Sequence, residues 1–347
     1  KMVMISKQEN ITSIADFIAA RYGKSQSLAV AVALICLVGV LPYIALQLKA
    51  IVLGVNLLIG GGADANGVRA QDTALVLALV LALFAILFGT RSLDVTEHHR
   101  GMVLAIAFES LVKLLAFLAV GIFVTYGLYD GFDDLLRQAA VAPQLEAFWQ
   151  ESVNWPSMLV QTFVAMLAIL CLPRQFHVSV VENTEPQDLR LARWVFPAYL
   201  SLAALFVVPI ALAGQMLLPS GVTADSFVIS LPLAEAHPLL ALLAFIGGAS
   251  AATGMVIVAS VALSTMVSND MLLPWLLRRK NTERPFEAFR YWMLSVRRIS
   301  IVVILLLAYV CYRLLGSTSS LATIGQIAFA AITQLAPAML GALYWKQ

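Results

Sequence analysis

The chain has 347 residues, 61% of them hydrophobic and 12% charged, with a formal net charge of +2 and a mean hydropathy of +0.89. A soluble domain carries roughly a quarter charged residues, so this composition reads as an all-α polytopic membrane protein. The small net charge argues against nucleic acid as a partner, and Cys36, Cys171 and Cys311 lie in apolar runs with neither metal-ligand nor disulfide-framework spacing.

No Gly-rich phosphate loop, zinc-binding His-Glu-x-x-His or Gly-x-Ser-x-Gly elbow is present. No catalytic site, metal or cofactor is therefore expected within these residues. Lys1 opens a polar run without a signal peptide, and the last apolar run stops at Tyr344-Trp345-Lys346-Gln347. Both ends read as cuts inside a longer protein.

Residues 1–26 read as a cytoplasmic loop with an amphipathic helix, and residues 27–347 as a transmembrane domain. The helix runs from Ile11 to Gly23. Thr12 or Ser13 can cap it, Asp16 suits its first turn and Gly23 can stop it. Ile14, Phe17 and Ile18 share one face, which should lie on the membrane or on the helix bundle.

Eight apolar runs follow: Ser27–Ile59, Thr73–Gly89, Gly101–Leu128, Pro156–Val180, Trp194–Leu217, Pro238–Leu273, Ile299–Leu315 and Leu321–Trp345. About 20 apolar residues suffice to cross a bilayer. The first and sixth runs are longer, so they must tilt, kink or continue beyond the lipid; Pro42 offers a kink in the first. Arg278, Arg279, Lys280, Arg284, Arg290, Arg297 and Arg298 crowd the loop between runs six and seven, which places it in the cytoplasm. Alternation puts Lys7, Arg21 and Lys24 inside, with Arg91, Arg100, Arg190 and Arg193. Asp130, Asp133, Asp134, Glu146 and Glu151 fall outside, as do Asp225 and Glu235.

The polar groups inside these runs are the candidate site. In the fourth run, Cys171-Leu172-Pro173-Arg174-Gln175-Phe176-His177 puts a helix breaker and three polar side chains where the span should continue. Two readings fit. In one, Pro173 simply ends the span and Arg174 marks its cytoplasmic edge. In the other, the helix breaks there and Arg174, Gln175 and His177 face a solute site, as in discontinuous transporter helices.

Glu109 and Lys113 lie four residues apart mid-span, on one helix face. They can be a neutral pair that orients the helix, or a titrating couple on a proton or solute path. Gln47 and Lys49 lie in the outer half of the first run, where Lys49 can snorkel or serve coupling. Asp94-Val95-Thr96-Glu97 has the form of a capping box, followed by His98 and His99, which are expected to line the cytoplasmic interface. In the sixth run, Ser250, Thr253, Ser260, Ser264 and Thr265 are interleaved with Gly247, Gly248 and Gly254. That pattern allows close helix packing, and its hydroxyls could also ligate sodium or a solute. Gln326 and Gln334 in the last run are expected to face the bundle interior, and His237-Pro238 to start a helix.

The chain resembles the sodium/solute symporter family. The resemblance rests on Ser13-Ile14-Ala15-Asp16-Phe17, Arg21-Tyr22-Gly23 and Tyr43-Ile44-Ala45-Leu46-Gln47-Leu48. It also rests on Arg174-Gln175-Phe176-His177 (where the family usually reads Gly-Gln-Pro-His), Ser268-Asn269-Asp270, Gln334-Leu335-Ala336-Pro337 and Leu343-Tyr344-Trp345. It covers essentially the whole chain and implies part of an inverted repeat of two five-helix units, with two core helices falling before Lys1.

The blocks Pro42 to Ile51, Ala107-Phe108-Glu109-Ser110-Leu111-Val112-Lys113 and Leu172 to His177 look most like the CbrA-type subgroup. There a transporter-like domain is fused to a sensor histidine kinase. That likeness implies a bacterial inner-membrane location, histidine as the solute, and a two-component role in carbon and nitrogen use. It further implies a kinase region beyond Gln347 that uses ATP and magnesium, a cognate response regulator and a homodimer through the kinase. Gln47, Pro173, Arg174, Gln175, His177 and Gln334 are then the candidate solute ligands, and Lys49, Glu109, Lys113 and Thr253 the candidate coupling residues.

One departure bears on the coupling ion. Where the family presents a Ser/Thr pair to sodium, this chain reads Gly254-Met255. A thioether is a poor ligand for a hard cation. A one-residue slip brings only Thr253 into place. Sodium is therefore not expected there, and Glu109 with Lys113 is the protonatable replacement. The competing expectations are a solute receptor that does not transport and an ordinary sodium symporter without a kinase.

Overall fold

The computed structural model describes residues 1–60, 68–89, 100–183, 185, 187–274, 286–315 and 319–345. Among these, all regular structure is helical. Six helices are long and apolar enough to cross a membrane, and up to eight spans result if each of two bent pairs counts as one. The chain is thus a polytopic helical membrane protein, as its composition requires.

Helices α1 (Met2–Gln8) and α2 (Ile14–Arg21) precede the first span. Ser13 caps α2, its hydroxyl accepting the Asp16 N–H at 2.9 Å, while the Asp16 carboxylate accepts the Thr12 N–H at 3.2 Å. Burial outweighs that bond and raises the Asp16 carboxyl above its ordinary value. Gly23 takes a positive φ of 74°, which only glycine adopts without strain, and turns the chain into α3.

Ile14, Phe17 and Ile18 are fully buried, so the apolar face of α2 lies on the bundle. Each such side chain contributes roughly 1.5–3 kcal/mol by leaving water. Residues 1–26 are therefore packed into the domain they precede.

The spans are α3 (Gln26–Leu58), α4 (Val68–Gly89) and α5 (Arg100–Ile122), which runs on as a π-helical turn to Leu128. Short helices α6 (Phe132–Val141) and α7 (Glu146–Gln150) cover the end of α5 that the charge pattern places outside. Then comes α8 (Trp155–Cys171), set at 87° to the segment before it.

Leu172 is extended, with φ −66° and ψ 121°, and Pro173 opens the next helix, α9 (Pro173–Phe176), which passes into a π-helical turn at His177–Val181. The break therefore falls at Leu172. Pro173 to His177 is helical again, because proline is well suited to a first helical position.

The fifth run also divides, into α10 (Asp188–Ala204) and α11 (Val207–Leu217), which the apolar sequence did not announce. Helix α12 (Phe227–Ala234) lies between it and α13 (Pro238–Met266), which extends through a π-helical turn to Leu272. His237 and Pro238 start α13 as expected. The last spans are α14 (Phe286–Leu315) and the bent pair α15 (Leu321–Thr333) and α16 (Ala336–Tyr344), which meet at 41°.

Helix α2 ties together the ends of α9, α13 and α16. The Ser13 hydroxyl donates to Asp270 Oδ2 at 2.8 Å, and Gln26 Nε2 donates to the Asp270 carbonyl. Arg21 Nε donates to the Ala342 carbonyl at 2.8 Å, and the Tyr22 hydroxyl to that of Ala338 at 3.2 Å. Phe17 meets Phe176 at 5.8 Å between ring centroids. Ser13→Ala removes both the helix cap and the Asp270 bond, and caps alone are worth about 1 kcal/mol. It should lower the unfolding temperature in detergent and speed tryptic cleavage at Arg21. An unchanged digestion pattern would mean that α2 is held by its apolar face alone.

Candidate solute site

The site forms where α3, α5, α12 and α13 meet. Helix α13 can approach α5 closely because Gly247 faces Ala116: a Cβ there would come within 2.6 Å of the Ala116 Cβ. Above that crossing lies a cavity of about 260 Å³. Its polar lining is Gln47 from α3, Lys113 from α5 and Asp225 from the turn before α12, and Phe117, Phe245 and Met255 form part of its apolar wall. Lys113 is about 20 Å along α5 from Arg100, near the middle of the candidate span Val103–Leu128. Asp225 lies in the turn before α12, in the loop that the charge pattern assigns to the outer side, and on that assignment the cavity reaches inward from there.

Glu109 and Lys113 do not pair. No ion pair within 4.0 Å joins them, and neither has another ion-pair partner among the described residues. This corrects the expectation from their spacing. Four residues on a helix bring two side chains to one face, but the neighbour decides where each one turns. Lys113 turns into the cavity. Glu109 turns onto α13, where its carboxylate fills the space that a side chain at residue 254 would need. Glycine at 254 is therefore what admits the carboxylate.

The other candidates divide into two groups. Gln47 is in the cavity wall. Arg174 lies over the Tyr43 ring at 5.6 Å, and the Tyr43 hydroxyl donates to Met255 Sδ at 3.0 Å, which links the α8–α9 break to the cavity. Arg174 is also close enough for its charge to act on Lys113.

Pro173 and His177 are buried, and Gln175 is half-buried beside them. His177 Nε2 lies 3.4 Å from Glu182 Oε1. Lys49 donates to the Ser319 carbonyl at 2.6 Å. Thr253 spends its hydroxyl proton on the Ala249 carbonyl, one turn back on its own helix. Ser260 and Ser264 likewise donate to carbonyls of α13.

Gln334 lies apart: it is exposed, and its amide donates to the Ala330 carbonyl. Gln326 is exposed too, donating to Gln161 Oε1 of α8 at 3.3 Å. The expectation that both face the interior is overturned. Ile324, Ala328 and Ile332 make up the buried stripe of α15, and the two glutamines lie off it. Asp94 to His99 lie outside the described residues, as do Arg278 to Arg284.

Asp225 was read only as an outer-loop charge. The available signal was local: Thr223-Ala224-Asp225-Ser226 precedes an apolar helix, and the Ser226 hydroxyl donates to the Thr223 carbonyl in a tight turn. That turn presents Asp225 to the cavity. Tyr43 stands in a block that carries the family likeness and Met255 at the departure from it, but nothing in the sequence shows that they touch.

No protein-family model matches the chain. In an alignment 348 positions long that takes in 97% of the chain, it is 25% identical to the uncharacterized symporter YhjB of Bacillus subtilis (strain 168). It spans 64% of that protein's length.

Proposed function

We propose that this chain forms the solute pathway of a membrane symporter, taking up an amino acid, histidine by the family likeness, with a proton as the coupling ion. The likeness to YhjB supports a membrane transporter and a bound solute. The observation that carries the coupling proposal is the Glu109 carboxylate on Gly254. It stands at the helix position where the resemblance leads one to expect sodium ligands. Glu109 has no ion-pair partner among the described residues; such a carboxylate can exchange a proton without breaking a salt bridge, and intramembrane acids commonly serve such relays.

The cavity serves the solute. Its volume lies just below the roughly 300–1,000 Å³ of drug-sized pockets, which suits a small polar solute. The CbrA-type likeness adds a regulated kinase region using ATP and magnesium, a response regulator, a homodimer and a bacterial inner-membrane setting to this reading. A receptor that binds the solute without moving it is the second reading, favoured by the packing of α2 across the end of the bundle that the charge pattern assigns to the cytoplasm. Uptake of labelled histidine into vesicles carrying the intact protein separates the two: accumulation supports transport, and binding without entry supports the receptor.

A further inference from the structure

Lys113 and Asp225 face the same small cavity from different depths. Neither has an ion-pair partner within 4.0 Å among the described residues. Asp225 accepts the Leu321 N–H through Oδ2 at 2.9 Å, which orients the carboxylate and leaves Oδ1 for a ligand. Lys49 stands near enough for the two charges to interact, but its ammonium group is directed to the Ser319 carbonyl. At the deep end Arg174 adds a second positive charge close to Lys113. Glu109, the one acid nearby on α5, is turned away onto Gly254. The cavity thus has positive charge from Lys113 and Arg174 at its α5 end and the Asp225 carboxylate, with Lys49 beyond it, at its α12 end, with the Gln47 amide in its wall and apolar side chains around it.

We infer that this cavity holds a zwitterion end to end, Lys113 taking its carboxylate and Asp225 its ammonium group. The inference rests on the transporter reading for the cavity's purpose, and it assigns the two ends of the solute to named residues. Desolvated charges in a half-buried site need partners, so a ligand that supplies both removes two costs at once. A ligand lacking one end leaves one protein charge unmatched. The apolar wall, with Phe117 and Phe245, takes the body of the solute and tolerates some variety there.

The test is equilibrium binding to the intact protein in vesicles. The probes are L-histidine, histamine, which lacks the carboxylate, and imidazolepropionate, which lacks the ammonium group. Each truncated probe should bind wild type about tenfold or more weakly than histidine. Lys113→Gln should lower histidine affinity to that of histamine while leaving histamine unchanged. Asp225→Asn should do the same with respect to imidazolepropionate. L-proline and L-alanine, each with its decarboxylated and deaminated analogue, extend the series.

Equal loss of all probes in Lys113→Gln would indicate a merely structural lysine and overturn the assignment. So would a wild type that binds histamine as well as histidine, or one that binds none of the three amino acids. Selective binding with no uptake would instead remove the transporter reading and leave the assignment standing.

Discussion

Replacing Glu109 with glutamine should abolish accumulation of histidine driven by a proton gradient while sparing exchange. Glutamine keeps the size of the side chain and its place on Gly254, but it cannot carry a proton. With one proton per solute, each pH unit supports about tenfold accumulation, since one unit is worth about 1.4 kcal/mol. The variant should bring the ratio to unity. Exchange of labelled for unlabelled histidine needs no net proton movement and should continue near the wild-type rate. Gradient-driven accumulation by a well-folded variant would remove Glu109 from the coupling path.

Gly254→Ala should be nearly as damaging to uptake, for a steric reason. An alanine methyl would overlap the Glu109 carboxylate, standing 2.9 Å from its Cδ. Overpacking of this kind costs about 1–3 kcal/mol, and here the low end applies because a flexible side chain can move aside. Moving aside is the functional injury: the carboxylate leaves the face of α13. The variant should remain monodisperse and bind solute, yet lose most gradient-driven uptake. Adding Glu109→Ala should restore thermal stability without restoring uptake. If Gly254→Ala transports normally, the contact is incidental.

The apolar runs, helix α2 and the start of α13 at Pro238 could be read from the sequence because each has a local cause. Lipid demands length, Ser13 supplies a cap, and proline cannot lie mid-helix without cost. The break near Pro173 was legible for the same reason, though it moved to Leu172 because proline opens a helix more readily than it interrupts one. What the sequence hid was direction around each helix axis. Helices α3 and α13 are apolar on every side, so periodicity could not say which face meets which neighbour. The partner of Glu109 was therefore misjudged as Lys113, when a glycine 145 positions later makes the room. The burial of Gln326 and Gln334 was misjudged likewise. Asp225 was missed because a loop residue's approach to a cavity is a tertiary fact.

The most direct test of a proton-coupled pathway is uptake of labelled histidine into vesicles with all sodium replaced by choline and an inward proton gradient imposed. The account predicts accumulation that persists in choline, collapses when a protonophore is added and is absent in Glu109→Gln. Complete loss of uptake in choline, restored by sodium whatever the proton gradient, would contradict it and give the Gly254–Glu109 site to sodium.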